Sequence, residues 1–503
     1  MTAFAAVDLG ASSGRVIRGE LIETDGQVSV RLDEVARFDN GAQADAAGTL
    51  RWEISGLFQQ VLAGLRAAAE AGPVAAIGID TWAVDYGLLD AEGELLAEPA
   101  AYRDGRNEAA VPLVHTRVSA AELYAIGGLQ HLPFNTVFQL VAEQAGPLWA
   151  RARRVLLIPD LLAYWLTGQQ VAELTNASTT GLVDVGTGQW SGELLERVQI
   201  PPDLLAQIVT PGSIIGAVSA DLAEQTGLGR VPVVAVGSHD TASAIVGVPA
   251  QRSDFAYISC GTWSLVGVEL DQPIRSEASR AKNFTNELGV DGTVRYLRNV
   301  MGLWVLQETI RCWQQAGRDI DLEQVLAAAA TAQPWRTVID IDHPDFLPPG
   351  DMPARIAAHA RASGQPTPSN DAELVRAILD SLALAYRRAI ADAVELSGMP
   401  AAVVHVVGGG SQNALLMQLT ADATGREVIA GPAESTAIGN VLVQARALGA
   451  LPADHAGIPA GLAALRAVGA AGVELTSYQP APGEHTRVGW QRAQARVDAV
   501  PIR

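Results

Sequence analysis

Four turns and one aromatic segment hold most of the side chains that could do chemistry. In GSHDTASAI, residues 237–245, Asp240 follows the apolar run VPVVAVG. An aspartate at a strand exit can take a proton from a substrate hydroxyl as general base, or simply cap a helix that begins at Thr241. In DLGASSGR, residues 8–15, Asp8 precedes a Gly/Ser turn whose backbone N–H groups could cradle phosphate while the carboxylate positions Mg²⁺, usually through water. A plain hairpin turn has the same composition. SCGTWS, residues 259–264, repeats the arrangement: Gly261 admits close backbone approach and Thr262 offers a hydroxyl and an N–H. VVGGGSQN, residues 406–413, fails the dinucleotide fingerprint because Asn413 stands where its last glycine belongs. Its glycines still suit an adenine face and an α-phosphate.

A second group lies in GIDTWAVDYGLLD, residues 78–90, and YRDGRN, residues 102–107. Trp82 beside polar residues suits the C–H face of a sugar and is equally at home as a core tryptophan. Asp85, Arg103, Asp104 and Arg106 could contact hydroxyls or form an ion-pair network. Asp160 in LLIPDLLAYWLTG reads as the cap of a helix that stops at Gly168.

Composition removes several alternatives. The formal charge of −20 argues against a nucleic-acid surface. The single lysine, Lys282, stands in Ala-Lys-Asn, so neither a P-loop nor a protein-kinase lysine is available. Two cysteines build neither a disulfide framework nor a four-thiolate zinc site. The eight histidines show no His-x-x-x-His pair near a third ligand, and no Gly-x-Ser-x-Gly elbow accompanies a triad. The N-terminus reads as a strand instead of a signal peptide, and no long uncharged apolar run predicts a membrane span. A cytoplasmic enzyme is expected.

The elements that must position these residues alternate. FAAVDLG and RVIRGELIE read as strands around the first turn, ISGLFQQVLAGLRAAAEA as an amphipathic helix, and VAAIGID, residues 74–80, as a buried strand. ELTNASTTGLVDVGTGQW reads as polar loop and short strands. The second half repeats the plan: FAYISCGTWSLVGVEL is strand, turn, strand; residues 372–396 form a long helix; AAVVHVV is a strand and ALLMQLTADATG a helix. Two halves with similar openings suggest an ancient duplication, with a linker near VGVPA. The expected fold class is α/β.

The stretches AVDLGASSGRV, GIDTWAVDYGLL, AYRDGRN, ELTNASTTGLVDV, GSHDTASAIVGVP, YISCGTWSLVG, NFTNE, RYLRNVMGLWVLQE and HVVGGGSQNALLMQLTAD, in this order, resemble the FGGY carbohydrate kinases essentially end to end. The resemblance implies two RNase H-like domains of the actin/hexokinase/Hsp70 type with a cleft between them, the N-terminal one over 1–248 and the nucleotide-binding one over 249–503. It implies transfer of the ATP γ-phosphoryl group, with Mg²⁺, to the 1-hydroxyl of a ketose, L-rhamnulose being the substrate expected. Asp240 falls on the catalytic base and Asp8 near the metal. Ala11, Ser12, Ser13, Gly14 and Arg15 fall on the first phosphate hairpin and Thr262 on the second. Gln307, Gly409, Gly410 and Asn413 fall on nucleotide positions. Trp82, Ala83, His239, Asp240, Thr241 and Asn299 fall on sugar contacts. The family usually has glycine where Ala83 stands, which narrows the pocket by a methyl group. A small-molecule sugar and ATP are the expected partners, in a monomer or homodimer, with neither nucleic acid nor membrane. Asp240 is expected to be ionised, its charge favoured by a helix N-terminus. The other readings are a related kinase for fuculose, xylulose, glycerol or a signalling furanone, an actin- or Hsp70-like ATPase, and an inactive sugar sensor.

Overall fold

The computed structural model describes residues 2–451 and 461–499. The chain divides into two units. The first comprises Met1–Gln251, Glu269–Tyr296 and Ser435–Val473; the second comprises Arg252–Val268, Leu297–Glu434 and Glu474–Arg503.

The sheet of the first unit has six strands: β1 (Ala3–Leu9), β2 (Ser13–Thr24), β3 (Gln27–Asp39), β4 (Ile77–Thr81), β5 (Ile214–Ala217) and β6 (Pro232–Val234), in the order β5-β6-β4-β1-β2-β3. β1, β2 and β3 form an antiparallel meander. β4 lies parallel to β1 and β6 parallel to β4. Every residue of β1 and β4 is buried, as befits central strands covered on both faces. β4 starts three residues later than the apolar run suggests, because residues 74–76 approach β1 along a non-strand path after Pro73.

Helix α1 (Ile54–Glu70) buries Ile54, Leu57, Val61, Leu65 and Ala68 at helical spacing and ends before Gly72, whose φ of 139° is open only to glycine. Helix α2 (Ile158–Thr167) ends on Gly168 in the left-handed region, as its sequence indicates. Its start differs: the helix begins at Ile158, so Asp160 sits inside the first turn and Leu157 holds the cap position without a side-chain bond. Asp160 instead accepts from the backbone N–H of Glu173 at 3.0 Å. A four-residue helix, Leu174–Ala177, interrupts the segment expected to be loop and strand.

Helix α3 (Asp240–Val246) follows β6 and packs on the helix Ser435–Ala447 in the same unit. A Cβ at Gly439 would lie 1.9 Å from the carbonyl oxygen of Ser243, and one at Gly247 2.2 Å from that of Ser435, so both helices need glycine where they meet. The Ser435 hydroxyl donates across this contact to the Ala244 carbonyl at 2.7 Å.

The second unit repeats the opening motif. β7 (Phe255–Cys260) and β8 (Ser264–Leu270) form an antiparallel hairpin, and β9 (Val403–Val407) runs parallel to β7 on its other side. β10 (Glu427–Ala430) and β11 (Thr476–Tyr478) extend the sheet beyond β9. The order β8-β7-β9 repeats β2-β1-β4, in line with the internal duplication read from the sequence. Helix α4 (Trp304–Gln315) follows; helix α5 (Met352–Ala362) packs on it. Helix α6 (Asp371–Ser397) is the long helix expected. It is capped by Asn370, which accepts from Glu373 N–H at 2.9 Å, and stopped by Gly398 with φ 68°. Helix α7 (Ala414–Thr424) begins at the Asn413 cap. No helix among the described residues is long and apolar enough to cross a membrane.

Candidate active site

The carboxyl ends of β1 and β4 and the segment leaving β6 lie side by side in the first unit. Asp8 stands opposite Asp80 in the parallel register and opposite Arg15 in the hairpin. Thr81 bridges His239, its N–H donating to the Ser238 carbonyl at 2.9 Å. The strand order therefore gathers Asp8, Asp80 and Asp240 at the edge where open α/β sheets hold ligands. Arg15 pairs with Asp8 at 2.5 Å. Asp80 is fully buried; its Oδ2 accepts from Asn440 at 2.5 Å and its Oδ1 has no hydrogen-bond partner. Burial first, then the charges of Asp8 and Asp240, push Asp80 well above the usual carboxylate range, although the Asn440 bond opposes them.

Asp240 is the first residue of α3, with His239 in the cap position and no capping side-chain bond there. The expectation that Asp240 caps a helix starting at Thr241 is thus off by one residue. The side chain of a first helical residue points outward, and that of Asp240 retains 30% exposure. Its Oδ1 accepts from the Thr241 N–H at 2.5 Å and the Thr241 hydroxyl at 3.1 Å. Burial raises its pKa above the ordinary value, and Asp8 adds to the rise; His239 and the Thr241 bonds oppose it. Helix placement alone predicts the reverse direction. A raised value makes Asp240 a stronger base once ionised.

Behind Asp240 lies a buried charge chain that sequence reasoning did not find. His239 Nε2 lies 3.5 Å from Asp240 Oδ1, and His239 Nδ1 lies 3.3 Å from Glu287 and 3.2 Å from Arg295 Nη1. Arg295, 1% exposed, pairs with Glu287 at 3.0 Å and donates to the carbonyls of Leu288 and Thr175 at 3.2 and 3.4 Å. Burial pushes Glu287 up, but the charges of Arg295 and His239 outweigh it and hold its carboxyl below the ordinary range. Glu173 fixes the turn from the other side. Its carboxylate accepts from Ser238 N and Oγ, Thr175 N and Oγ1, and Asn176 N, between 2.6 and 3.2 Å. Two of these five donors come from Ser238, so the buried carboxylate anchors the turn at that residue.

Trp82 is buried against Trp52, ring centroids 4.4 Å apart, and its indole N–H donates to Asp85 at 3.1 Å. Asp85 also accepts from Trp52 Nε1, Tyr102 N and Gln139 Nε2. Burial raises its pKa to about 6 against those four bonds. Between the two lie Ala83, half-buried, and Val84 with φ of 68°. A β-branched residue in the left-handed region is strained. Thr136 Oγ1 and Gln139 Nε2 clamp the Val84 carbonyl at 2.7 and 3.3 Å. In the YRDGRN stretch Arg103 covers the Tyr102 ring, Asp104 accepts from Leu50 N, and Arg106 pairs with Glu143.

The first hairpin turn presents Ala11, Ser12, Ser13 and Arg15 at least partly to solvent, with Gly14 buried against Phe38. In the second unit, Thr262 lies in the β7–β8 turn, where its carbonyl accepts from Trp304 N and that of Gly261 from Leu303 N. Gln307 is exposed on α4, and Asn299 is half-buried on the strand Val294–Val300. The glycines of the turn after β9 differ in their surroundings. A Cβ at Gly410 would lie 2.2 Å from Cys260 Sγ, and Gly408 has φ 84° beside the Cys260 carbonyl, so these two glycines serve packing. Gly409 faces open space. Asn413 Oδ1 caps α7 through Leu416 N at 3.0 Å.

The N-terminal domain model of the FGGY family of carbohydrate kinases matches residues 3–247 and the C-terminal domain model residues 256–448. The chain belongs to the FGGY family of carbohydrate kinases. A rhamnulokinase of Bacteroides thetaiotaomicron is 42% identical over 89% of this chain and 91% of its own length. One from Pectobacterium carotovorum is 41% identical over 97% and 95%. The fold resembles that of a xylulose kinase from Lactobacillus acidophilus (TM-score 0.79, 17% identity, covering 99% of this chain and 97% of that one). It also resembles a Plasmodium falciparum glycerol kinase with ADP (TM-score 0.76, 15% identity, 99% and 98%).

Kinases of this family use ATP, generally with a divalent metal. The residues at the strand ends fit such a cation chemically. Asp8 and Asp80 supply only oxygen donors, and the Asp80 Oδ1 atom is buried without a partner. Asp80, Glu173 and Glu287 share one sequence signal: each is a lone acid within an apolar or hydroxyl-rich run that the fold buries.

Proposed function

We propose that this FGGY kinase transfers the γ-phosphoryl group of ATP, as its Mg²⁺ complex, to the 1-hydroxyl of L-rhamnulose, in the cytoplasm. The reaction class follows from family membership. The rhamnulokinases at about 40% identity over nearly the whole chain support the ketose. The observation that carries the mechanism is the half-buried Asp240 carboxylate, raised in basicity and backed by His239, Glu287 and Arg295.

In this reading Asp240 accepts the proton of the primary hydroxyl as its oxygen attacks phosphorus. General-base assistance of this kind contributes about 10²–10⁴ in rate. His239 and Thr241 flank the base and orient the sugar, with Trp82, Ala83 and Asn299 as further contacts. The backbone N–H groups of residues 11–15 and Thr262 bind phosphate oxygens; Gln307, Gly409, Gly410 and Asn413 contact the nucleotide. Asp8, with Asp80 beside it, would hold the Mg²⁺ of the nucleotide complex, which would supply neutralisation of phosphate charge. Arg15 holds the Asp8 carboxylate in place, and Glu173 keeps the Ser238–Asp240 backbone from shifting.

The test is mass detection of a phosphorylated product from L-rhamnulose, ATP and Mg²⁺, with L-fuculose, xylulose and glycerol in parallel. L-Rhamnulose 1-phosphate formed faster than the other products supports the proposal. ATP hydrolysis unchanged by sugar, with no sugar phosphate, defeats it.

A further inference from the structure

His343, Asp345 and His359, in the second unit, form a side-chain cluster that the kinase reaction does not use. One ligand atom from each lies within 4.8 Å of the others. His359 Nε2 is 2.9 Å and His343 Nδ1 3.5 Å from the same oxygen, Asp345 Oδ2. Around a tetrahedral zinc ion with bonds of about 2.0–2.2 Å, neighbouring ligand atoms stand roughly 3.3 Å apart. The two observed separations bracket that value.

The scaffold holds this geometry from two directions. His343 caps the short turn Pro344–Phe346, Asp345 lies within it, and His359 reaches them from α5. Phe346 is fully buried beneath both imidazoles, its ring 4.7 Å from that of His359 and 6.5 Å from that of His343. The histidine side chains are 19% and 22% exposed and Asp345 61%, so an ion can enter and a fourth position faces solvent. The guanidinium of Arg355, on α5, is engaged by the carbonyls of Pro348 and Pro349. The Asp345 N–H donates to His343 Nδ1 at 3.2 Å, a long bond that a metal would replace.

We propose that His343, Asp345 and His359 bind a zinc-class divalent cation through two imidazoles, one carboxylate and a water. Two nitrogen ligands select Zn²⁺, Co²⁺ or Ni²⁺ over Mg²⁺, which prefers all-oxygen octahedral sites. The ion would fasten the 343–350 turn to α5. That turn also braces α4: Trp304 Nε1 donates to the Phe346 carbonyl at 2.9 Å, Cys312 Sγ to that of Gly350 at 3.0 Å, and Gly350 N to Glu308 at 2.6 Å. The site is thus a structural staple beside the helix that carries Gln307.

Titration of the chelator-treated full chain with Co²⁺, followed by visible d–d absorption, tests the proposal. One equivalent should give the intense bands of a four-coordinate site, and Zn²⁺ should displace it. His343→Gln and His359→Gln should each remove the bands, while His115→Gln leaves them. Undiminished bands in the His343→Gln/His359→Gln double variant, or no saturable bands in the parent, overturn it. A Zn²⁺-soaked crystal of the unsubstituted protein supplies a check independent of variant folding. An anomalous peak among the three side chains is expected, and zinc bound only elsewhere refutes the assignment.

Discussion

Replacing Glu287 by Gln removes one charge from a buried pair and leaves the other. Arg295 is 1% exposed and Glu287 5%, with 3.0 Å between them. Removing one member of such a pair costs about 3–5 kcal/mol, because the remaining charge is buried without compensation. Against a total stability of roughly 5–15 kcal/mol, that loss is large. Changing both residues to Met removes the stranded charge and leaves the Leu288 and Thr175 carbonyls and His239 Nδ1 without the Arg295 donor. Removing the desolvation cost of both charges offsets these lost bonds, so the double variant should fall less far below the parent than the single one. Urea unfolding at constant slope measures both differences. The acid side gives a second reading. Glu287 has a lowered folded pKa, so its stabilisation is present above the unfolded value, about 4.3, and is lost as pH falls through the lower folded value. The gap between parent and Glu287→Gln should therefore close in acid. A single variant within about 1 kcal/mol of the parent, or a double variant no better than the single, would refute the reasoning.

Other consequences follow from individual residues. Asp160 has a folded pKa well above the usual range, from burial first and then from the charge of Glu173. Such a group weakens folding as pH rises from the unfolded pKa towards the folded one, so Asp160→Asn should flatten that decline in denaturation measured from acid to mildly alkaline pH. Gly410→Ala drives a methyl into Cys260 and should cost about 1–3 kcal/mol in thermal unfolding. Gly409→Ala meets nothing and should leave stability unchanged, so any rise in its KM for ATP reports a nucleotide contact. Asp85→Asn places an amide donor among the donors of Trp52, Trp82, Tyr102 and Gln139; a loss of roughly 2–4 kcal/mol is expected by the same unfolding assay.

The elements were legible where one local rule decided them. The hairpins around residues 10–12 and 261–263, the amphipathic α1, and α6 between Asn370 and Gly398 follow from periodicity, caps and glycine stops. Asp160 was misread as a cap because a local rule cannot see Glu173, whose N–H accounts for its position. The glycine turn after β9 suggests ligand approach, and what its sequence does not show is that Gly408 and Gly410 are also required by Cys260 on the adjacent strand. Asp240 stood out because it follows an apolar strand. Glu287 and Arg295 did not, because they lie 47 and 55 residues further along and reach His239 only through the tertiary fold. The raised basicity of Asp240 was likewise hidden: a dipole argument from sequence predicts the opposite sign, and burial beside Asp8 prevails.

Turnover and stability measured together in Asp240→Asn test the role of Asp240 as base. Asn keeps an oxygen for the Thr241 N–H and removes a charge that burial already disfavours. Sugar phosphorylation should fall by about 10²–10⁴ while the unfolding midpoint stays level or rises. Turnover within about tenfold of the parent, or a loss of activity that tracks a loss of stability, would contradict the assignment of Asp240 as the base.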